Sequence, residues 1–436
     1  MPPSRVPTSA PDSSQRFTAL RALRSRNYRL FFAGQAVSLI GTWITRIATS
    51  WLVFRLTGSP VMLGLVSFAG QIPSFFLAPI AGVWVDRWNR HRTIVVTQTL
   101  SMLQSFALAA LTLTGRINVW ELALLMLAQG LINTFDMPAR QSFVIQMIDD
   151  PAYLGNAIAL NSSIVNAARL IGPAIAGVVI AAAGEGICFL IDGMSYAAVL
   201  ISLSAMRIPA RAVYKKTKNA FGELIEGWHY IARSPAMRSI LLLIALVSLL
   251  GVPFQVLMPI FAANVLHGGP HTLGALMAAA GGGALAGVAA LANRKSVIGM
   301  GRVVAESAGI FGLSLIAFGL SKVLWLSLCI LPFAGFGMMR QMAASNTIVQ
   351  TLSDEKKRGR VMAFYSMAFV GMSPFGSLLA GALSAHIGVS RTLVLCGFAC
   401  LISAICFALH LPRIHESARP LYATRGLLPD TTEELE

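Results

Sequence analysis

The pentapeptide Val37-Ser-Leu-Ile-Gly41 returns 210 residues later as Val247-Ser-Leu-Leu-Gly251, each time inside an apolar run. At the same offset Gly58, Pro60, Leu63 and Gly64 match Gly268, Pro270, Leu273 and Gly274. Further along the offset becomes 204, and Gln146, Gly155, Ala159, Gly172, Gly177 and Gly184 match Gln350, Gly359, Ala363, Gly376, Gly381 and Gly388. One such match is chance. A series in order along both halves indicates a duplicated unit, and the apolar setting of the repeats says what kind.

Soluble domains carry about 25% charged residues, whereas this chain carries 12%, with 56% hydrophobic residues over 436 positions. The net charge of +16 does not indicate nucleic-acid binding, because the basic residues interrupt long apolar runs instead of covering one face of a polar fold. A helix needs about 20 apolar residues to cross the hydrocarbon, where unpaired backbone groups cannot face lipid. Twelve segments qualify: 28–56, 60–85, 93–114, 119–147, 154–183, 186–206, 239–264, 272–293, 303–321, 324–350, 360–387 and 391–411. The expected fold is therefore an all-α membrane protein of twelve transmembrane helices in two pseudo-symmetric six-helix bundles.

The expected organisation is a tail over 1–27, a first bundle over 28–206, a linker over 207–238, a second bundle over 239–411 and a tail over 412–436. Phe221, Leu224, Ile225, Trp228 and Ile231 recur at helical spacing in the linker, which predicts an amphipathic helix along the membrane surface. With both termini placed inside, 26 of the 34 Lys and Arg fall on the cytoplasmic side, among them Arg21, Arg24, Arg87, Arg90, Arg92, Lys215, Lys216, Lys218, Lys295 and Lys356. Four fall outside, Arg55, Arg116, Lys322 and Arg391. That asymmetry predicts a multi-pass plasma (inner) membrane protein with cytoplasmic termini. The Pro-, Ser- and Arg-rich first 27 residues hold no signal-like apolar stretch, so the first span is expected to direct insertion. Cys188, Cys329, Cys396, Cys400 and Cys406 lie in apolar segments without metal-ligand spacing, and no cofactor or metal is expected.

Ionisable residues inside spans carry the chemistry, since each costs about 2.5–3.5 kcal/mol to insert. Asp136 stands in the fourth segment with Arg140 one turn on, a favourable self-neutralising spacing. Asp136 plus the repeat offset of 204 is Arg340, so an acid and a base hold equivalent positions and are expected to face each other across the central pathway. Arg46, Arg169 and Asp192 complete the set. Four arginines against two aspartates leave the interior at +2, which points to a substrate bearing carboxylate, phosphate or catecholate groups. Asp136, and after it Asp192, are the candidates for proton coupling, which needs a carboxylate that desolvation and a neighbouring arginine bias in opposite directions.

After the second segment stands Gly82-Val-Trp-Val-Asp86-Arg87-Trp-Asn-Arg90-His-Arg92. This resembles the loop signature of the major facilitator superfamily, G-x-x-x-D-R-x-G-R-(R/K), with Asn89 and His91 as departures. Phe135-Asp-Met-Pro-Ala-Arg-Gln141 and Arg358-Gly-Arg-Val-Met-Ala363 extend the resemblance to the secretion-effector and multidrug branch, which includes enterobactin and macrolide exporters. The resemblance implies that Gly82, Asp86, Arg87 and Arg90 form a gate, with Asp86 set against the eleventh helix. Gly172-Pro-Ala-Ile-Ala-Gly177 resembles the exporter motif G-x-x-x-G-P-x-x-G-G, with Ala168 and Ala176 in place of glycines. Pro173 deprives the Arg169 carbonyl of its helical donor, and Gly172 and Gly177 admit a close neighbour. Met126 replaces the arginine of the family's R-x-x-Q-G motif ahead of Gln129-Gly130.

The expectation is a secondary active exporter of amphiphilic small molecules, of drug or siderophore type and anionic by the charge count, working by proton antiport and alternating access. Its partners would be that substrate, protons and membrane lipids, with no nucleic acid, and a monomer is expected. A lipid or lysolipid flippase on the same fold, and a non-transporting receptor or scaffold, are the alternatives. No metalloprotease, nucleophile-elbow, phosphate-loop or dinucleotide motif stands in a suitable context, so an enzyme is not expected.

Overall fold

The computed structural model describes residues 20–206, 220–292, 294, 299–355 and 357–423. Among these residues the chain is helical, without strands, and twelve segments are long and apolar enough to span a membrane. The first six spans are α1 (Arg26–Thr57), α2 (Pro60–Arg87), α3 (Arg90–Leu113), α4 (Val119–Phe143), α5 (Leu154–Ala183) and α6 (Glu185–Ser204). The linker helix is α7 (Ala220–Ala232). The seventh span is broken into α8 (Pro235–Leu250) and α9 (Phe254–Ile260), followed by a π turn over Phe261–Val265. Next come α10 (Pro270–Ala292), α11 (Met300–Leu320) and α12 (Leu324–Leu352). The eleventh span is α13 (Arg358–Ser366), a π turn over Met367–Gly371 and α14 (Ser373–Ile387); α15 (Val389–Ala423) is the twelfth.

Two of the expected continuous spans are thus interrupted. Gly251 and Pro253 sit in the break after α8, and Pro374 stands in the first turn of α14. Proline supplies no amide hydrogen and clashes with the preceding turn. Such breaks are tolerated at membrane depth only where protein covers them, and Phe254, Leu257, Met258 and Phe261 are all buried. At the other end of the chain α15 runs to Ala423, past the boundary expected at 411.

Because the spans alternate in direction, all the helix ends fall on two faces. We call the one that carries α7 the linker face and the opposite one the far face. The loop after α2 explains both departures from the signature. Asn89 caps α3, its Oδ1 accepting the Arg92 amide at 3.1 Å, a task glycine lacks the side chain to perform. His91 Nε2 stands 3.1 Å from the Leu203 carbonyl at the end of α6, pinning the loop to the first bundle.

The linker helix α7 docks on protein. Glu226 pairs with Arg360 at 2.6 Å, Trp228 lies 6.0 Å from Phe364 ring to ring, and Asp354 donates its amide to the Tyr230 hydroxyl at 3.3 Å. Ile225 and Trp228 keep exposed surface while Ile231 is buried. The side chains of Phe221 and Leu224, and Lys215, Lys216, Lys218, Lys295 and Lys356, lie outside the described residues.

The helices of each half pack on one another, and two seams join the halves, α2 with α14 and α5 with α10. The repeated residues sit at these seams. A Cβ on Gly64 would lie 2.5 Å from the Ser377 carbonyl oxygen, and one on Gly381 would lie 2.6 Å from that of Pro60. In the other seam, a Cβ on Gly177 would lie 2.9 Å from the Pro270 carbonyl oxygen, and one on Gly274 would lie 2.7 Å from that of Pro173. Pro60 and Gly64 are the repeat partners of Pro270 and Gly274, and Gly177 of Gly381. The duplication therefore wrote the same close contact twice, once on each side of the molecule. Ser67 adds a hydroxyl bond to Ser377 across the first seam at 3.2 Å. These contacts occupy the far halves of their helices, so the far side is sealed.

Candidate substrate and coupling site

Three arginines stand at mid-depth on helices of both halves. Arg46, Arg169 and Arg340 stand near the middle of α1, α5 and α12. Arg46 and Arg169 pack on the same indole, with guanidinium carbons 5.1 and 5.7 Å from the Trp43 ring centroid. Arg340 packs on Phe336 at 5.5 Å. Arg169 Nη1 reaches across to the second bundle, 2.7 Å from the sulfur of Met339, the residue before Arg340.

Among the described residues, none of these three cations makes an ion pair with a carboxylate, and the buried Nε atoms of Arg169 and Arg340 lack hydrogen-bond partners. A cation–π contact is worth about 0.5–2 kcal/mol, less than a carboxylate would offer in the same place. Two like charges on one ring also repel. Arg46 nevertheless counts as exposed, although it stands mid-helix, which fits a side chain lining a cavity. Toward the linker face Asn133, Ser162, Ser163 and Gln350 are also exposed. Polar side chains facing lipid are costly, so these positions describe a vestibule open toward the linker face and ending at the arginines.

The exporter-motif residues build this apex. Gly172 lies directly under the Cβ of Trp43, leaving no room for a side chain and letting α1 bring its indole and Arg46 against α5. Helix α5 continues through Pro173. The Arg169 carbonyl that Pro173 leaves without a donor lies against Gly281 of α10, where a Cβ would stand 2.7 Å from it.

The expected facing of Asp136 and Arg340 is not what the structure shows. The Asp136 carboxylate is buried inside the first bundle, turned to α3, on the linker side of the middle of α4. Its Oδ1 accepts the Thr97 hydroxyl at 2.7 Å and the Gln98 amide at 2.9 Å, and its Oδ2 pairs with Arg140 Nε at 2.7 Å. The short-range pairing suggested by the i,i+4 spacing is what forms, because two donors on α3 and Arg140 one turn along α4 outcompete a distant guanidinium. Asp192 is also buried, between α1, α3 and α6, with Ser105 donating to Oδ2 at 2.9 Å.

The gate residues remain apart from this site. Gly82 and Arg87 lie at the linker end of α2, where Trp84 and Trp88 flank Phe135 at 6.2 and 5.9 Å; Arg90 opens α3. The Asp86 side chain lies outside the described residues. Phe336 and Met339 escaped sequence reasoning, and Trp43 stood there only as one of several aromatics that could line a pocket or face lipid. The available signal was the i,i+3 and i,i+4 spacing of an aromatic ahead of an arginine, Trp43 to Arg46 and Phe336 to Arg340.

Two duplicated bundles, joined at two seams and enclosing charged side chains at mid-depth, define a transporter of the major facilitator class. The model of the transmembrane secretion effector family matches residues 17–425, and the chain belongs to that family; it is an efflux-type transporter and not an enzyme. It is 26% identical to a staphyloferrin A transporter of Staphylococcus aureus, over 87% of this chain and 94% of the other. It is 25% identical to the multidrug efflux pump Tap of Mycolicibacterium fortuitum (86% and 93% covered) and 23% identical to macrolide efflux protein A of Streptococcus pyogenes (89% and 97%). Among solved structures, it resembles a bacterial homologue of the human lysosomal transporter Spinster in an inward-facing, unoccupied conformation. The TM-score there is 0.73 at 15% identity, over 91% of this chain and 98% of the other.

Proposed function

We propose that this protein exports an anionic amphiphilic small molecule by proton antiport, with the linker face in the cytoplasm. The observation that carries the reading is the set of three arginines at the end of the vestibule, Arg46, Arg169 and Arg340, none of which has a carboxylate partner among the described residues. Cations at membrane depth recruit counter-charge, and Trp43, Phe336 and Met339 offer apolar surface beside them. A ligand with an acidic group and an apolar body satisfies both. The excess of Lys and Arg in the linker-side loops supports cytoplasmic placement of that face, and the siderophore, drug and macrolide transporters among the relatives support export of a compound of this size.

In the cycle, substrate enters from the linker face and its acid groups take the arginine forks. The far seams then part while the linker side closes. Protons returning from outside drive the reset. Flux in proteoliposomes under an imposed pH gradient tests this, with a carboxylate siderophore, a macrolide, a cationic dye and a lysolipid as probes. Gradient-driven movement of the carboxylate above the cationic dye is expected. Preference for the cationic dye overturns the anionic assignment, and lysolipid movement without a gradient replaces the exporter reading with a flippase.

A further inference from the structure

Asp192 is the one buried acid in the described spans without a cation. It stands level with Gly41, at the middle of the 32-residue α1. Its Oδ2 takes the Ser105 hydroxyl of α3. Its Oδ1 lies against Gly41 and beside Thr45 and Ser195, yet has no aligned hydrogen-bond partner. The Ser195 hydroxyl is committed to the Asp192 carbonyl at 2.7 Å, and the Thr45 hydroxyl oxygen is itself buried and unpartnered. Charged groups nearby are already neutralised: Asp136 by Arg140 on α4, and Glu185 at the far end of α6 by Arg55 of α1. Arg46 of α1 is turned to Trp43. The remaining titratable neighbours on α6 are Tyr196, one turn along, and Cys188, both buried.

A bare carboxylate in such a place leaves an uncompensated charge in a buried site, whereas the acid form leaves none. The protonated form also gives Oδ1 a hydrogen to donate to Thr45. The fold does not require an acid here. The repeat offset of 204 places Cys396 at the matching position of α15, where the second bundle packs the same helix without a charge.

We propose that Asp192, not the ion-paired Asp136, is the proton-carrying group of the transport cycle, and that it holds its proton in the far-sealed conformation. This rests on the antiport reading above. The step is a simple transfer. An O–H bond forms at the Asp192 carboxyl with a proton from water on the far side, and breaks by transfer to water on the linker side. Gly41 brings α1 within contact of the carboxyl, so a shift of α1 against α6 within the first bundle uncovers it.

Infrared spectroscopy of the reconstituted full chain reads the proton without any substrate. At neutral pH wild type is expected to show a protonated-carboxyl carbonyl band that Asp192→Asn removes and Asp136→Asn retains. Asp192→Cys, the residue of the second bundle, serves as a second variant of natural packing. In parallel, carboxyfluorescein flux is measured with and without a pH gradient. Asp192→Asn is expected to lose at least about tenfold of the gradient-driven flux while gradient-free exchange stays near wild type, because only the coupling step is removed. A band unchanged in both Asp192 variants, or gradient-driven flux unchanged in them, overturns this assignment. A wild type whose flux ignores the gradient overturns the antiport reading instead, and the infrared band still decides where the proton sits.

Discussion

An arginine without a counter-ion at membrane depth is a poor structural element, and the three at the vestibule's end make opposing demands on stability and function. Each fork that engages an acidic group contributes about 1.5–3 kcal/mol, or roughly 10- to 100-fold in affinity. Replacing Arg340 with Gln is therefore expected to raise the KM for a carboxylate substrate by about that factor, with a cationic dye unaffected, as substrate-concentration series in proteoliposomes will read. Arg46 and Arg169 share one indole, so Arg46→Gln relieves repulsion. The ligand-free protein should melt no lower than wild type while losing its ligand-induced rise in Tm, a separation that a purely structural arginine does not produce. Asp136 shows the opposite pattern. Asp136→Asn leaves Arg140 facing Thr97 and Gln98 and is expected to cost about 3 kcal/mol, seen as a lower Tm that Arg140→Gln partly restores. These residues were legible in the sequence as charges at membrane depth. Their directions were not, because one residue of register turns a side chain by about 100°, and the partners that fix Asp136, Thr97 and Gln98, belong to a different helix.

Helices carried the most legible part of the fold. The repeat Pro60, Gly64 with Pro270, Gly274, and Gly177 with Gly381, was visible as sequence, and the structure shows why both copies bear it: each pair lets two helices of opposite halves touch backbone to backbone. What no single helix discloses is the exchange of partners, α2 of one half against α14 of the other and α10 against α5. The breaks at Gly251–Pro253 and over Met367–Gly371 were hidden for a related reason, since an apolar run reads as one span whether or not its hydrogen bonds continue. Bulk at a seam should act on one conformation only. Gly64→Leu and Gly177→Leu each put a side chain where a carbonyl now lies within 3 Å, so neither variant can close its far side. A cysteine placed at exposed Trp120, at the far end of α4, serves as a labelling control that stays unchanged, while a cysteine at Ser67, half-buried in the seam against Ser377, should react with a membrane-impermeant maleimide several-fold faster in the Gly64→Leu background. Equal rates in both backgrounds count against the seam as a gate.

Across the whole molecule, the sealed far side and the proton on Asp192 make one linked prediction. In the far-sealed arrangement α1 and α6 touch at Gly41 and Asp192, and a bare carboxylate there has no cation among the described residues. Removing the proton therefore destabilises this arrangement relative to any in which α1 shifts and water reaches the site. The sign follows directly: alkaline pH favours far-side opening, and acid favours the conformation described here. Trp120 of α4 and Trp325 of α12 are exposed at the far ends of the two halves, and each can carry a spin label once the exposed Cys329 and Cys406 are replaced. Pulsed dipolar measurements should give one short distance at acid pH and a growing longer population as pH rises. In the Asp192→Asn background, where the side chain is neutral at every pH, the short distance should persist throughout. Should the longer population instead grow with pH equally in both backgrounds, opening is coupled to some other titrating group, and the linkage between Asp192 and the far seam fails even if the seam itself is the gate.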